Sequence, residues 1–441
     1  MMKRVLVITY YWPPAGGSGV QRWVKFAKYL PGEDWQPVIY TPENPELTSV
    51  DKTLADDIPP EAEILKTRIT EPYRIYRSLT GKSGEKQGEV NPISGGKKSL
   101  FQKLSLFIRG NFFIPDPRCF WVRPSVKYLL RYLKDHPVDI IVSTGPPHSM
   151  HLIAMKVAQA TKLPWIADFR DPWTRMFYFK HLHLTSWARR RHIALEKQVL
   201  DSASAIVTVT KPLQQEFQSM TSTPVHCITN GYDESDFRQI IEPDGFFNIT
   251  HTGLFAADGN PETLWKVLED KCRTDSEFRK LLRIRLVGKT DREITESVME
   301  HGLAENLRNL GYQTHQVATR EQMGASVLLL PQRKEPEYKA VLTGKIFEYL
   351  ASGHPILAIG MTDCAMADVI RETHSGVMLD WDDYGGIRKF LDDCWEKFKS
   401  DEPESENADI SGYSRKELTG RMARLMESLL EQDGTGRCVK Q

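Results

Sequence analysis

Thr343-Gly-Lys-Ile-Phe-Glu-Tyr-Leu-Ala-Ser-Gly-His-Pro355 lies between two short apolar runs, SVLLLP at 326–331 and ILAIG at 356–360. Runs of that length, each bounded by turn residues, read as buried strands, so the segment joining them crosses over from one parallel strand to the next. The crossover is helical: Ile346 pairs with Leu350 and Phe347 with Ala351 at i, i+4, and Gly353 followed by Pro355 stops the helix. Lys345 and Glu348 then share one face. In an open α/β sheet the ligand lies beyond the carboxyl ends of the strands, near helix N-termini, so a cation and a carboxylate one turn apart suit a phosphate and a sugar diol. The plainer alternative is an exposed helix ion pair worth about 0.2–0.5 kcal/mol.

The same string, written K-x-x-E-Y-x-A-x-G-x-P, resembles the donor half of retaining GT-B glycosyltransferases of family 4. That resemblance implies an α/β chain of GT-B type, two Rossmann-like parallel-sheet domains facing across a cleft, with Glu348 on the ribose hydroxyls of a nucleotide-sugar. Members of the family often carry a second Glu eight positions earlier, near the transferred sugar; here that place is Ala340, and Glu335 and Glu337 in the preceding loop are the nearby acids.

Length and composition admit two full cores, since the 441 residues have an ordinary soluble balance, with Lys plus Arg and Asp plus Glu at 58 each. No global basic field argues for nucleic acid. Six cysteines (119, 227, 272, 364, 394 and 438) show no C-x-x-C spacing, which argues against a zinc site or disulfide framework and fits a reducing compartment. The first apolar run ends by Pro13, a strand rather than a signal peptide, and no stretch approaches the roughly 20 apolar residues of a membrane span. A cytoplasmic location follows, with peripheral contact at the inner face of the membrane open through 100–113 and 187–191. The 100–113 segment is amphipathic, with Phe101, Leu104, Phe107 and Ile108 on one side, and Arg189, Arg190 and Arg191 form a local basic cluster. Packed core and a solvated helix face are the competing readings of those two stretches.

In the first half, the strand Val5–Tyr11 leads into a turn containing Gly16, Gly17 and Gly19, then a helix carrying Arg22. Glycines without a Cβ let main-chain N–H groups approach an anion at a helix start, and Arg22 one turn in is placed to reach the same anion, a surface Arg being the competing reading. A nicotinamide-type turn or a tight βα connection would look similar. The resemblance puts this loop at the donor diphosphate. Residues 81–99 turn to Gly, Lys, Ser, Glu and Asn and read as a flexible insertion. The strand 139–143 delivers His148 before a helix that Thr144 or Ser149 would cap, and the strand 163–167 ends in Asp168-Phe-Arg170-Asp171-Pro-Trp173. Two carboxylates flanking an Arg at a strand end read as active-site residues; the resemblance, in which this strand end presents a His or His-Asp pair replaced here by Arg170 and Asp171, implies Asp171 toward the acceptor hydroxyl or donor sugar and Arg170 holding it or a phosphate, and a buried Arg–Asp pair fixing the loop is the alternative. Trp173 and His148 go with the acceptor side or the cleft.

The second half repeats the style. The family's Arg and Lys after the strand at Thr252-Gly253 are missing, so a cation clamp for the diphosphate falls to Lys345 and Lys289, with Arg333 third. Residues 309–313 with His315 resemble the stretch that reads the nucleobase, and the turn Asn230–Asp233 resembles the hinge between domains. Asp380-Trp-Asp-Asp383 sits where carboxylates cap helices, so no metal is expected there. The domains are then 1–235 on the acceptor side, 245–398 on the nucleotide-sugar side, and a helix at 411–433 returning to the first. The expected activity is sugar transfer from a nucleotide-sugar to a glycan or lipid-linked acceptor, retaining and without metal or other cofactor, in surface polysaccharide or glycoconjugate synthesis. A nucleotide-sugar epimerase of the same fold and a non-catalytic carbohydrate-binding scaffold are the alternatives.

Overall fold

The computed structural model describes residues 2–47, 50–71, 100–176, 179, 182–239, 241–400 and 409–438. The expected insertion at 81–99 lies outside these. The chain forms two compact units, Met1–Thr229 together with Leu418–Gln441, and Asn230–Glu417.

The first unit is built on a seven-stranded sheet: β1 (Lys3–Ile8), β2 (Trp35–Pro42), β3 (Glu63–Thr67), β4 (Ile140–Gly145), β5 (Trp165–Phe169), β6 (Ala205–Thr208) and β7 (Val225–Cys227). All neighbours are parallel, in the order β3-β2-β1-β4-β5-β6-β7. The period of two in side-chain direction divides each strand between two cores. Leu6, Ile8 and Ile141 enter one core. Val5, Val7, Ile140 and Val142 enter the other. The chain order reverses between β1 and β4, so the loops that follow those two strands border the crevice where such sheets hold ligands.

The second unit repeats the plan with β8 (Phe247–Thr252), β9 (Leu282–Val287), β10 (Leu307–Gly311), β11 (Val327–Pro331), β12 (Ile356–Ile359) and β13 (Gly376–Leu379), in the order β10-β9-β8-β11-β12-β13. β11 and β12 are parallel neighbours, Leu328 opposite Ile356 and Leu330 opposite Ala358. The helix joining them, Gly344–Ser352, is the crossover read from the sequence, and Gly353 closes it with φ +81°. The order reverses between β8 and β11, which places Thr252-Gly253 at that unit's crevice. Asp383 accepts from Gly386 N–H at 2.8 Å at the start of the helix Tyr384–Ser400, a capping role.

The helix Arg415–Cys438 packs on the first unit through Leu418, Met422, Met426 and Leu429, which share a core with Val20, Trp23 and Leu30. Among the described apolar side chains of the helix Leu100–Phe112, Leu106 is buried against Phe179 and Leu182, whereas Ile108 is 39% and Phe112 70% exposed. The apolar side of that helix is thus divided between a small core and the surface.

One departure from the sequence reading matters most. β5 does not stop at Ala167 but runs on through Asp168, which is fully buried. Its carboxylate is satisfied from four sides: Arg22 Nη2 at 2.9 Å on Oδ1, and Arg22 Nε at 3.1 Å, Trp23 Nε1 at 2.8 Å and Thr144 Oγ1 at 2.9 Å on Oδ2. Arg22, equally buried, donates its remaining N–H groups to the carbonyls of Ile228 at 2.9 Å and Thr229 at 2.8 Å. Arg22 therefore does not reach an external anion, and Asp168 is no surface catalytic acid: together they form an internal tie. The Arg22 charge and these hydrogen bonds hold the Asp168 carboxyl below its ordinary range, against the burial that opposes them. Removing one partner strands a charge, so Arg22→Met should cost about 3–5 kcal/mol in urea unfolding, and Arg22→Met with Asp168→Leu should recover much of it. Because the folded pKa is depressed, the stability from Asp168 is present above about pH 4 and lost as pH falls through that lowered value, and the double variant should lack this component of acid sensitivity.

Candidate functional site

In the first unit the loops after β1, β4 and β5 are held together by Arg170. Its Nη1 donates to the Gly19 carbonyl at 3.0 Å, its Nη2 donates to the Pro146 carbonyl, and its backbone N–H donates to the Gly145 carbonyl at 3.0 Å. A Cβ on Gly19 would stand 2.7 Å from Arg170 Nη1, so only glycine lets the first loop come this close. Gly17, with φ +98°, is the N-cap of the helix Ser18–Tyr29, and Gly16 precedes it. Arg170 is thus a positioning group whose two carbonyl contacts tie the glycine loop to the loop after β4. The Tyr11 ring lies 5.6 Å from its guanidinium carbon.

Asp171 is next to it, half-buried and without a hydrogen-bond partner among the described residues. Burial pushes its carboxyl up and the Arg170 charge opposes this. A carboxylate left unpaired beside a fixed guanidinium is equipped to accept a hydrogen bond from a substrate hydroxyl.

His148 is 5% exposed and stacks flat on Trp173, centroids 4.7 Å apart and planes 2° from parallel, and neither ring nitrogen has a partner among the described residues. Trp173 is itself 2% exposed, so it is the platform for His148 rather than an open acceptor surface. The helix Ser149–Thr161 is capped by neither Thr144 nor Ser149. Asp116 accepts from Ser149 N–H at 2.8 Å, and the Thr144 hydroxyl is committed to Asp168. Deeper in, Trp165 Nε1 donates to Ser143 Oγ at 2.9 Å, and the Ser143 hydroxyl shares a hydrogen bond with His151 Nδ1 at 2.8 Å.

Two residues missed in the sequence complete this half. Trp173 Nε1 donates to His192 Nδ1 at 3.1 Å, and Glu196 accepts from the backbone N–H groups of Trp173 at 3.3 Å and Thr174 at 3.2 Å. Both come from the helix Ser186–Ser202, where they share the inward side with Ala188, Leu195 and Val199. A His and a Glu at core-facing helical spacing were the available signal.

In the second unit, Glu348 Oε2 accepts from Gln322 Nε2 at 2.8 Å, and Gln322 also donates to Thr252 Oγ1 at 2.9 Å. Glu348 Oε1 takes no hydrogen bond from any described residue. Lys345 Nζ lies 3.9 Å from Glu348 Oε2, a long contact, so Gln322 rather than Lys345 fixes the carboxylate. The Lys345 stem crosses directly over Gly253, where a Cβ would stand 2.0 Å from Cε; Gly253 has φ +108° as well. Lys345, Gly253 and the N-terminus of the helix Gly344–Ser352 are therefore one assembly at the end of β8. Lys289 follows β9 and is exposed, with its carbonyl accepting from Phe255 N–H at 2.9 Å. Arg333, the third cation considered, is already engaged by the Asp258 carboxylate, with Nε at 2.9 Å from Oδ1, and by Glu335 at 3.4 Å. His315 is 3.4 Å from Asp236. Among the described residues no group of three or more His, Cys, Asp or Glu is placed to hold a metal ion.

Residues 93–236 match the family described as Glycosyltransferase Family 4. No curated protein matches the sequence closely enough to count as a relative. Among solved structures, a sucrose-phosphate synthase from Thermosynechococcus elongatus is 13% identical, with 98% of each chain covered and a TM-score of 0.53. WaaG, a glycosyltransferase involved in lipopolysaccharide biosynthesis, is 14% identical over 97% of this chain and 98% of its own, TM-score 0.51. A UDP-forming trehalose-phosphate synthase from Burkholderia xenovorans is 11% identical over 96% of this chain and 100% of its own, TM-score 0.56. At such identities the likeness establishes the fold, an α/β chain of GT-B type with two parallel sheets and flanking helices.

Burial lowers the pKa of His148 and His192 below the ordinary range, that of His151 to about 3, and in the second unit that of His251 to about 4. The folded chain excludes protons that the unfolded chain takes up below about pH 6.5, so stability should fall as pH drops from there, by about 1.4 kcal/mol per pH unit per histidine. His148→Phe keeps the stack on Trp173 and loses no hydrogen bond, so urea unfolding at pH 7.5 and at pH 5.5 should show a pH slope shallower by about one proton.

Proposed function

Taking the chain as a GT-B fold glycosyltransferase resembling family 4, we propose that it transfers a sugar from a nucleoside-diphosphate donor bound on the Lys345–Glu348 face to a hydroxyl of a glycan or lipid-linked acceptor. The observation that carries this is the state of Glu348: a carboxylate fixed through one oxygen by Gln322, with the other free to take a diol, one helical turn from a cation that overlies Gly253. A ribose offers adjacent hydroxyls to the first, and a diphosphate offers charge to the second and to the helix N-terminus.

In this reading the departing diphosphate is stabilised by Lys345, by the N–H groups around Thr343–Lys345 and by Lys289, all present before the reaction begins. Transfer proceeds with retention and with the acceptor attacking on the face the diphosphate leaves, which calls for no carboxylate nucleophile and so accommodates Ala340 where the family's second Glu stands. Asp171, beside Arg170, takes the acceptor hydroxyl; the Gly16, Gly17 and Gly19 loop offers main-chain N–H groups to an anion at the first unit's own crevice. The reaction needs no metal, and its setting is surface polysaccharide or glycoconjugate synthesis at the cytoplasmic side.

Calorimetric titration with UDP, GDP and ADP tests the donor half. One of them should bind, and Glu348→Ala should weaken it on the order of 10- to 100-fold, the loss of charge-assisted hydrogen bonds to the ribose. Lys345→Ala should weaken the diphosphate but leave the bare nucleoside unaffected. Binding of no nucleotide would favour a carbohydrate-binding scaffold. An isomerised or hydrolysed sugar nucleotide formed without acceptor would favour epimerase chemistry; a putative UDP-N-acetylglucosamine 2-epimerase from Listeria monocytogenes has the same fold at 9% identity, 98% coverage of both chains and a TM-score of 0.53.

A further inference from the structure

The first unit carries a surface that the nucleotide reading leaves unused. The helices Leu100–Phe112 and Ser186–Ser202 meet around a cavity of about 420 Å³ walled by Phe107, Phe112, Ile114 and Trp187, with Arg191 on its rim. Phe112 is 70% and Trp187 61% exposed. Phe113 extends the aromatic surface to Phe120, 58% exposed, through an edge-on contact at 5.8 Å. Large aromatics at that exposure are costly to leave in water, and these are neighbours rather than scattered singletons.

Charge separates a lipid surface from a protein partner here. Arg189, Arg190 and Arg191 are all exposed, and none makes an ion pair among the described residues. Neither 100–115 nor 185–195 contains a single Asp or Glu. Exposed Phe and Trp beside acid-free clustered arginines match the chemistry of an anionic bilayer interface, where aromatic rings settle at headgroup depth and each cation is attracted to the surface potential. Spanning is not at issue, since no helix among the described residues is long and apolar enough to cross a membrane.

The surface is also preformed. Asn111 Nδ2 donates to the Phe107 carbonyl at 2.8 Å and to the His183 carbonyl at 3.3 Å, while its Oδ1 accepts from Thr185 N–H at 2.7 Å, pinning one helix end to the start of the other. The Thr185 hydroxyl caps the second helix. No ordering cost then falls on the binding step.

We propose that this aromatic and arginine face docks the protein on an anionic phospholipid bilayer. The contact does not depend on nucleotide binding. It also has a structural route to the acceptor side, because the helix that presents Trp187 and Arg191 outward holds Trp173 and Thr174 inward through His192 and Glu196.

Vesicle flotation of the full chain without substrate tests this. The protein should float with vesicles of equal parts phosphatidylcholine and phosphatidylglycerol and not with phosphatidylcholine alone. At about 1 kcal/mol per cation, or a factor of about five, Arg189→Gln, Arg190→Gln and Arg191→Gln together should lower the partition on the order of a hundredfold. Phe112→Ser with Trp187→Ser should lower it at least about tenfold. Met299→Ser, at an exposed apolar position in the other unit, should change nothing. If the aromatic variant proves unfolded by circular dichroism, the arginine variant decides alone. Failure of the wild type to float with the anionic vesicles, flotation of the arginine variant at the wild-type level, or a self-association in sizing that the patch variants abolish would overturn the proposal; none of these bears on whether nucleotide binds at Glu348.

Discussion

The first unit depends on burying a full positive and a full negative charge side by side. Desolvating Arg22 and Asp168 is expensive, and the structure offsets it by leaving neither group short of partners: Trp23, Thr144 and the carbonyls of Ile228 and Thr229 take up what the pair does not. Four separate chain segments are thereby obliged to meet at one point: the helix after the glycine loop, the ends of β4 and β5, and the exit from β7. The polar residues at the crevice are arranged around this tie. Arg170, two residues beyond Asp168, can span the loops after β1 and β4 only because the strand beneath it is fixed in depth.

Much of the architecture was legible locally. Short apolar runs bounded by turn residues marked nearly every strand, and Gly353 with Pro355 marked the end of the crossover helix, because these features are decided by residues near one another in sequence. What was not legible depended on partners far away. Asp168 read as the first residue past a strand because nothing nearby announces an arginine 146 positions back that lets a carboxylate lie inside the sheet. The cap on the helix at Ser149 comes from Asp116, and the contacts that hold Trp173 come from His192 and Glu196. In the second unit Lys345 and Glu348 were visible as a pair, but Gln322, which holds the carboxylate, and Asp258, which engages Arg333, were not.

The two candidate regions differ in how they are stiffened. In the second unit a single amide, Gln322, serves both Glu348 and Thr252, and Tyr349 accepts the Thr252 N–H at 2.9 Å, so the carboxylate is indexed directly to the end of β8. In the first, the side chains of Asp171 and His148 carry no hydrogen bonds among the described residues and are located by their neighbours, Arg170 on one side and Trp173 on the other. Unmet hydrogen-bonding capacity inside a well-braced surround is a common condition of groups that complete their bonding on a substrate.

The terminal helix has a consequence for the order in which the protein is made. Leu418, Met422 and Met426 belong to the same core as Val20 and Trp23, near the opposite end of the chain. On the ribosome, that core stays open to water through the synthesis of everything between, including the whole of Asn230–Glu417. The nascent first unit therefore presents an uncovered greasy flank to chaperones until residues 418–429 have been made, and a chain cut short before them keeps that flank for good.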